Sequence, residues 1–390
     1  MKLKSTILIS GCLIGSLYCL GQNKSPYYSS SEEDWESTPT ANLESITQTI
    51  YLIGDAGSDS IKSANVLSLV SNHLFRDAGK KTILFLGDNI YPTGMPLDTD
   101  KSRIKAESRI SPQLHLASKS KSSFFFLPGN HDWEMGKKNG LEVLSQEEVY
   151  IESIFNDENV FIPDQGCPGP VEVEISDHLT LAAIDVQWWL HKYDKPLKNE
   201  ICNSENENDF IQNLKWTINQ NRGKTLLIAA HHPIHSNGNH GGYFSPKAHL
   251  FPLTTIKSNL YIPLPILGTL YVFGRRFFGS IQDLPNKKYK SFIKKTIGSF
   301  SSSSNIIYVA GHEHNLQYFN KNNYHHIISG SGSKTTWLSK NGGANFAYSQ
   351  KGFSKLIATK DKELWVEFWI PSDANENGIL VFKKKIISLE

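Results

Sequence analysis

Seven side chains in this 390-residue sequence have the donor chemistry of a metal centre: Asp55, Asp88, Tyr91, Asn130, His231, His312 and His314. Two carboxylates, a phenol, an amide and three imidazoles exceed the four ligands of a tetrahedral zinc site. They suit two cations sharing a carboxylate, and Asp88, with two oxygens at the centre of the series, is the natural bridge. A cation pair ~3.5–4 Å apart clamps an in-line displacement at phosphorus. It stabilises the entering and leaving oxygens and lowers the pKa of a bound water, supplying hydroxide near neutral pH. Each residue alone has an ordinary alternative: an aspartate after a strand caps turns, and histidines two apart, such as His312 and His314, are commonly surface residues. The case rests on their joint occurrence in one order.

What could bring these residues together is that each group follows an apolar run. Residues 82–86 read as a buried strand that Gly87 ends in a turn, with Asp88 at its tip. The runs 49–53, 123–127, 225–230 and 305–310 stand in the same relation to Asp55, Asn130, His231 and His312, and 179–184 ends at Asp185. A helix is expected from about 59, with Leu67, Val70 and Leu74 on one face and Gly79 as its stop, and another over about 208–221, stopped by Gly223. The opening β-α-β unit favours parallel pairing. In open α/β sheets the carboxyl ends of strands converge on one edge, where ligands bind. A site interleaved in this way cannot be divided, so 49–390 reads as a single domain. Its last part, with strands over 324–329, 364–370 and 379–382, offers no new chemistry.

Five stretches carry a resemblance: Asp55-Ala56-Gly57, Gly87-Asp88-Asn89-Ile90-Tyr91, Gly129-Asn130-His131-Asp132, His231-His232-Pro233 and Gly311-His312-Glu313-His314. Together they resemble the five blocks of the calcineurin-like metallophosphoesterase superfamily, over roughly 51–332. Most of that superfamily has a histidine two after the first aspartate, where this chain has Gly57, and here Tyr91 stands three after Asp88. That exchange, with the continuation Asn315-Leu316-Gln317-Tyr318, resembles the purple acid phosphatases, particularly the small tartrate-resistant type.

The resemblance implies an α/β fold, a four-layer α-β-β-α sandwich with two mixed β-sheets. It implies one metal held by Asp55, Asp88, Tyr91 and His314, and a second by Asp88, Asn130, His231 and His312. A phenolate is a hard anionic donor, so Tyr91 implies Fe(III) at the first position, with a divalent Fe, Zn or Mn at the second. His131 would stabilise the phosphoryl group in transfer, and His240 would give a proton to the leaving group or touch phosphate. His235, His240 and His249 share one polar loop, and plain solvation is the alternative for each; His232 reads as a supporting residue rather than a ligand. The implied activity is acid phosphatase-like hydrolysis of phosphate monoesters in a small phosphorylated substrate. Phosphodiesterase action on nucleotides or phospholipids shares every ligand, and a non-catalytic binding module is the rival of another class.

Between about 244 and 289 the chain departs from the small acid phosphatases. Residues 260–273 are an apolar insertion in which Pro263, Pro265 and Gly268 argue against a spanning helix. Two readings stay open: a flap packed on the domain, or a lid over 260–276 that touches a membrane or an apolar substrate, with Arg275 and Arg276 facing lipid phosphates. Lys287, Lys288, Lys290, Lys294 and Lys295 read as the wet face of a helix. The net charge of +2 and the isoelectric point near 8.1 give no basic face for nucleic acid.

At the N-terminus, Lys2 and Lys4 precede an apolar run over 7–20, and Gly21 closes a small-residue cleavage pattern. This reads as a signal peptide over 1–21 and an exported protein, periplasmic, outer-membrane-associated or extracellular. Cys12 also sits in a lipobox-like sequence. Residues 22–48, rich in Ser, Thr, Glu and Asn, read as a disordered spacer. Cys167 and Cys202 remain in the exported chain, where one disulfide or two free thiols are both open.

Overall fold

Apolar runs alternating with amphipathic helices build two face-to-face β-sheets in this computed structural model, which describes residues 25–197, 202–255, 257, 259–300 and 305–388. The six-stranded sheet runs, edge to edge, Ile379–Ser388, Glu363–Ile370, Phe353–Thr359, Ile46–Ile53, Lys80–Phe85, Ser123–Phe126. Its last three strands are parallel and the others antiparallel, so the sheet is mixed. The eight-stranded sheet is mixed as well. Its parallel centre, Leu179–Ala183, Thr225–Ala229, Ile306–Ala310 and Tyr324–Ser329, is flanked by antiparallel strands.

Three apolar clusters separate four layers. Leu52, Leu84, Leu181, Leu227, Val309 and Phe368 belong to the core between the sheets. Alternation along each strand then sends Ile53, Phe85 and Phe126 to the opposite face, under helices Ser60–Arg76, Arg103–Lys119 and Gly140–Phe155. On the other sheet, Ile228 and Tyr308 pack under Glu207–Gln220 and Lys287–Ser299. The lysines of Lys287–Ser299 lie on a helix that buries Tyr289 and Phe292 on its other side.

One expectation changes. The leader over 1–21 lies outside the described residues, but the spacer expected over 22–48 is ordered from Ser25 onward. Its polar composition hides aromatic anchors. Tyr27–Tyr28 adds an edge strand to Phe346–Tyr348, and Trp35 is buried against Tyr28 and Phe382. Lys384 pairs with the buried Glu32, and Ile46 already begins the first strand of the six-stranded sheet. Cys167 and Cys202 form a disulfide, with Cα atoms 5.4 Å apart.

The apolar insertion folds as two short helices, Pro246–Leu250 and Pro265–Phe277. Pro265 sits in the first turn, where its missing N–H costs nothing. Gly268 lets the helices cross, because a Cβ there would lie 2.1 Å from the His249 carbonyl oxygen.

At the carboxyl edge of both sheets the backbones nearly touch. Gly54 N–H donates to Ser329 O at 2.8 Å, and a Cβ on Gly54 would stand 2.9 Å from Gly311 Cα. Only glycine permits that approach, which sets the loop after Ile46–Ile53 against the loop after Ile306–Ala310.

Candidate metal centre

The loops that leave this edge carry all seven candidate donors and aim them at one another. Asp55, Asp88 and His312 adopt left-handed backbone conformations, with φ of 60°, 55° and 68°. Such a conformation costs a non-glycine residue of order 1–3 kcal/mol and is typically retained where function demands a side-chain direction. Buried Asp132 holds two of these loops in place by accepting from Gly129 N, Ile90 N and Asn89 N at 2.7, 3.1 and 3.2 Å. Asp88 is thereby fixed beside Asn130.

The first group is Asp55, Tyr91 and His314, with Asp88 adjoining. Tyr91 Oη donates to Asp55 Oδ1 at 2.7 Å and lies 3.0 Å from His314 Nε2, which is itself 3.2 Å from Asp55 Oδ1. One ligand atom from each of Asp55, Asp88 and His314 falls within 4.8 Å of the other two. Gly57 explains the exchange noted in the sequence. A Cβ at that position would stand 2.1 Å from the Asn89 carbonyl carbon, so no histidine fits there, and Tyr91 supplies the donor instead.

The second group is Asp88, Asn130, His231 and His312. His231 Nδ1 donates to Leu86 O at 2.8 Å and His312 Nε2 donates to Gln282 O at 2.9 Å. Burial keeps His312 well below its ordinary pKa, so it is neutral. With the Nε2 proton of neutral His312 committed outward, its Nδ1 presents a lone pair inward. Yet His312 Nδ1 lies 3.1 Å from His231 Nε2, and His231 Nε2 lies 3.3 Å from Asp88 Oδ1. Asn130 Oδ1 faces both imidazoles, at 2.9 and 3.1 Å. Nitrogen and oxygen donors converging this closely from four side chains fit a cation.

The electrostatics agree. Burial, reinforced by the nearby Asp88 charge, pushes the Asp55 carboxyl up to about 7. Burial also raises the Tyr91 phenol well above its ordinary value, as do Asp55 and Asp88. For Asp88 burial works in the same direction, but His231 and His131 outweigh it and hold the carboxyl below the usual range. A cation at each group would remove the cost of the charged forms.

The predicted rim residues stand at the mouth of this centre. His131 packs its ring on Tyr91, donates through Nδ1 to Pro92 O and places Nε2 3.8 Å from Asp88 Oδ2. His240 lies with its ring centroid 4.0 Å from that of His312, and its Nδ1 is 2.9 Å from Asp283 Oδ1. Burial disfavours the charged His240, but the hydrogen-bonded Asp283 and the nearby Glu313 outweigh it and raise its pKa. His131, His240 and His314 keep some solvent exposure, whereas Asp55, Asp88 and His231 are sealed beneath them. His232 is buried with Nε2 2.7 Å from Gln282 Oε1, a supporting contact. His235 turns to Tyr324, and His249 sits in the insertion 3.5 Å from Thr269 Oγ1.

Several neighbours have no counterpart among the predicted residues. Lys334 places Nζ 3.0 Å from the centroid of the Tyr91 ring, so the C-terminal part of the chain does add chemistry to the site. Only a Ser/Gly-rich turn precedes it, which signals a loop but no role. Glu313 Oε1 holds the His240 loop by accepting from Ser236 Oγ and His240 N, both at 2.7 Å. Asp132 and Glu313 lie inside the recognisable blocks, and position there was the available signal.

The family model for calcineurin-like phosphoesterases matches residues 48–330. Among solved structures, GAP50, the anchor in the inner membrane complex of Plasmodium, is 14% identical, with 88% of this chain and 90% of that one covered and a TM-score of 0.54. PhoD is 10% identical over 90% of this chain and 73% of its own, with a TM-score of 0.52. The purple acid phosphatase PPD1 from yellow lupin is 14% identical, covering 87% of this chain and 54% of that one at a TM-score of 0.48. No curated protein matches the chain in sequence.

Proposed function

The chain belongs to the calcineurin-like phosphoesterases, and on that premise we propose an exported phosphate monoesterase of purple acid phosphatase type with a binuclear Fe(III)–M(II) centre. Family membership makes it a metal-dependent phosphoester hydrolase; the monoester, the binuclear centre, the iron and the export are the proposal. The observation that carries it is the pair of donor groups meeting at Asp88, one of them containing the Tyr91 phenol.

Asp55, Asp88, Tyr91 and His314 would hold Fe(III), and Asp88, Asn130, His231 and His312 a divalent Fe, Zn or Mn. When bound, the pair supplies Lewis acidity to the phosphoryl oxygens and acidifies a water. The remaining work falls to the rim. Lys334 offers a positive group to the phosphate, and His131, held at the mouth through Pro92 O, would help to position it. His240, with Nδ1 held by Asp283, keeps Nε2 for the leaving oxygen, and its raised pKa keeps a proton there to give. The complete donor set favours an enzyme over a binding module, and the Cys167–Cys202 disulfide favours an oxidising compartment.

The test is turnover of p-nitrophenyl phosphate against bis(p-nitrophenyl) phosphate by protein loaded with Fe and Zn. Preference for the monoester, lost on chelation, is expected. A diester preference would move the assignment to a phosphodiesterase, and no turnover of either would remove it.

A further inference from the structure

The insertion helix Pro265–Phe277 buries one side and leaves the other uncovered. Gly268 and Val272 face the protein. Ile266, Leu270, Phe273 and Phe277, spaced by three or four residues on the opposite stripe, are 77%, 64%, 60% and 52% exposed, and Phe278 just beyond is 77% exposed. Gly274 lies on the same side, where a Cβ would meet nothing within 4 Å. Tyr261 and Ile262, in the segment before the helix, extend the apolar surface. Contiguous exposed apolar side chains of this size mark an interaction site rather than ordinary surface.

Charge selects the occupant. Between residues 244 and 282 there are four cationic side chains, Lys247, Lys257, Arg275 and Arg276, and no Asp or Glu; Arg275 is paired with the buried Asp283, which leaves Lys247, Lys257 and Arg276 for the surface. Lys247 sits over the Tyr261 ring, 4.5 Å from its centroid, and Arg276 stands 5.9 Å from that of Tyr243. An apolar, aromatic-rich face bordered by cations, on a segment without an acidic residue of its own, complements an anionic lipid surface, with rings at the acyl boundary and ammonium and guanidinium groups among the phosphates. A second copy on the same face would set the same cations against one another. At thirteen residues the helix is only about 20 Å long. No helix among the described residues is long and apolar enough to cross a membrane, so this one would lie in the interface plane.

We propose that this helix docks the protein on anionic bilayers. The docking surface is continuous with the catalytic rim. Arg275, at the helix's last turn, pairs with Asp283, which holds His240. A docked protein therefore presents the mouth of its centre beside the lipid surface. The surface stands independently of which phosphoester is cleaved.

The test is co-sedimentation of metal-loaded protein with vesicles of equimolar phosphatidylcholine and phosphatidylglycerol, or of phosphatidylcholine alone. Binding to the anionic vesicles that weakens with salt is expected. The double variant Leu270→Glu/Phe273→Glu should lower it at least about tenfold while p-nitrophenyl phosphate turnover stays unchanged. As a direct reporter, a nitrobenzoxadiazole-labelled Gly274→Cys should shift to the blue only with the anionic vesicles. Absence of vesicle binding, equal binding by the double variant, or a label that reports no change would overturn the proposal. So would a concentration-dependent dimer that the double variant abolishes, which would identify a second copy as the occupant.

Discussion

Removing the metals should make the protein's stability depend on pH in a way the loaded protein's does not, and Asp55 sets the least size of the effect. Its carboxyl rises from 3.8 to about 7 through burial without a cation. A carboxyl whose folded value lies above its unfolded one keeps a proton that the unfolded chain has already lost. Its contribution is full below about pH 4 and disappears as pH rises through about 7. At about 1.4 kcal/mol per pH unit, the stripped protein loses on the order of 4 kcal/mol across that window. The loaded protein must already have released the proton to bind metal, so it escapes this loss. Asp185, which burial also pushes up to about 7, titrates in both forms and cancels in the difference. Urea denaturation of loaded and chelator-stripped protein at several pH values measures the gap. It should widen by at least the few kcal/mol that Asp55 contributes from about pH 4 to about pH 8, the Tyr91 phenol giving up a second proton on loading, and stripped Asp55→Asn should lack the Asp55 share of the pH dependence. A gap constant with pH, or one that narrows, would refute the reasoning.

Four further outcomes are expected. Tyr91→Phe should remove the visible phenolate-to-iron absorption of the iron-loaded protein, and an unchanged spectrum would take Tyr91 away from the iron. Asp283→Asn should let burial dominate at His240 and lower its pKa, so that the alkaline limb of the kcat/KM profile moves to lower pH; an unmoved limb would take His240 out of the proton transfer. Lys334→Met should leave metal content intact but raise KM for a phosphate monoester about tenfold, read from initial rates, since one positive group at the mouth is lost. Trp35→Ala should cost about 3 kcal/mol in urea denaturation, because a buried indole packed on Tyr28 and Phe382 leaves a cavity; a cost near zero would return residues 25–45 to the status of a spacer.

The sheet edge was legible because it rests on local signals. Buried parallel strands are short continuous apolar runs, and each ends at a residue that breaks the pattern (glycine after 49–53, 82–86 and 305–310, proline after 123–127, histidine after 225–230), so the convergence of Asp55, Asp88, Asn130, His231 and His312 follows from the rule for strand ends. Helix Ser60–Arg76 was readable from its Asp59 cap and apolar stripe. Helix Arg103–Lys119 was not, since its composition is charged and Pro112 stands inside it. The ordered N-terminal segment was missed for a related reason. Three aromatic residues do the packing in a stretch whose average composition is polar, and their partners Phe346 and Phe382 are more than three hundred residues away. Lys334 depends on a loop from the far end of the chain folding back over Tyr91, which no local pattern announces. Asp283 is tied to His240 by a contact across the insertion, forty-three residues apart, that no local pattern announces.

Crystals of the iron- and zinc-loaded protein, read by anomalous scattering at both absorption edges, test the central claim most directly. Two peaks about 3.5–4 Å apart are predicted, with Asp88 between them. Asp55, Tyr91 and His314 should surround the iron, and Asn130, His231 and His312 the zinc. A single peak, or two peaks that these side chains do not touch, would contradict the account.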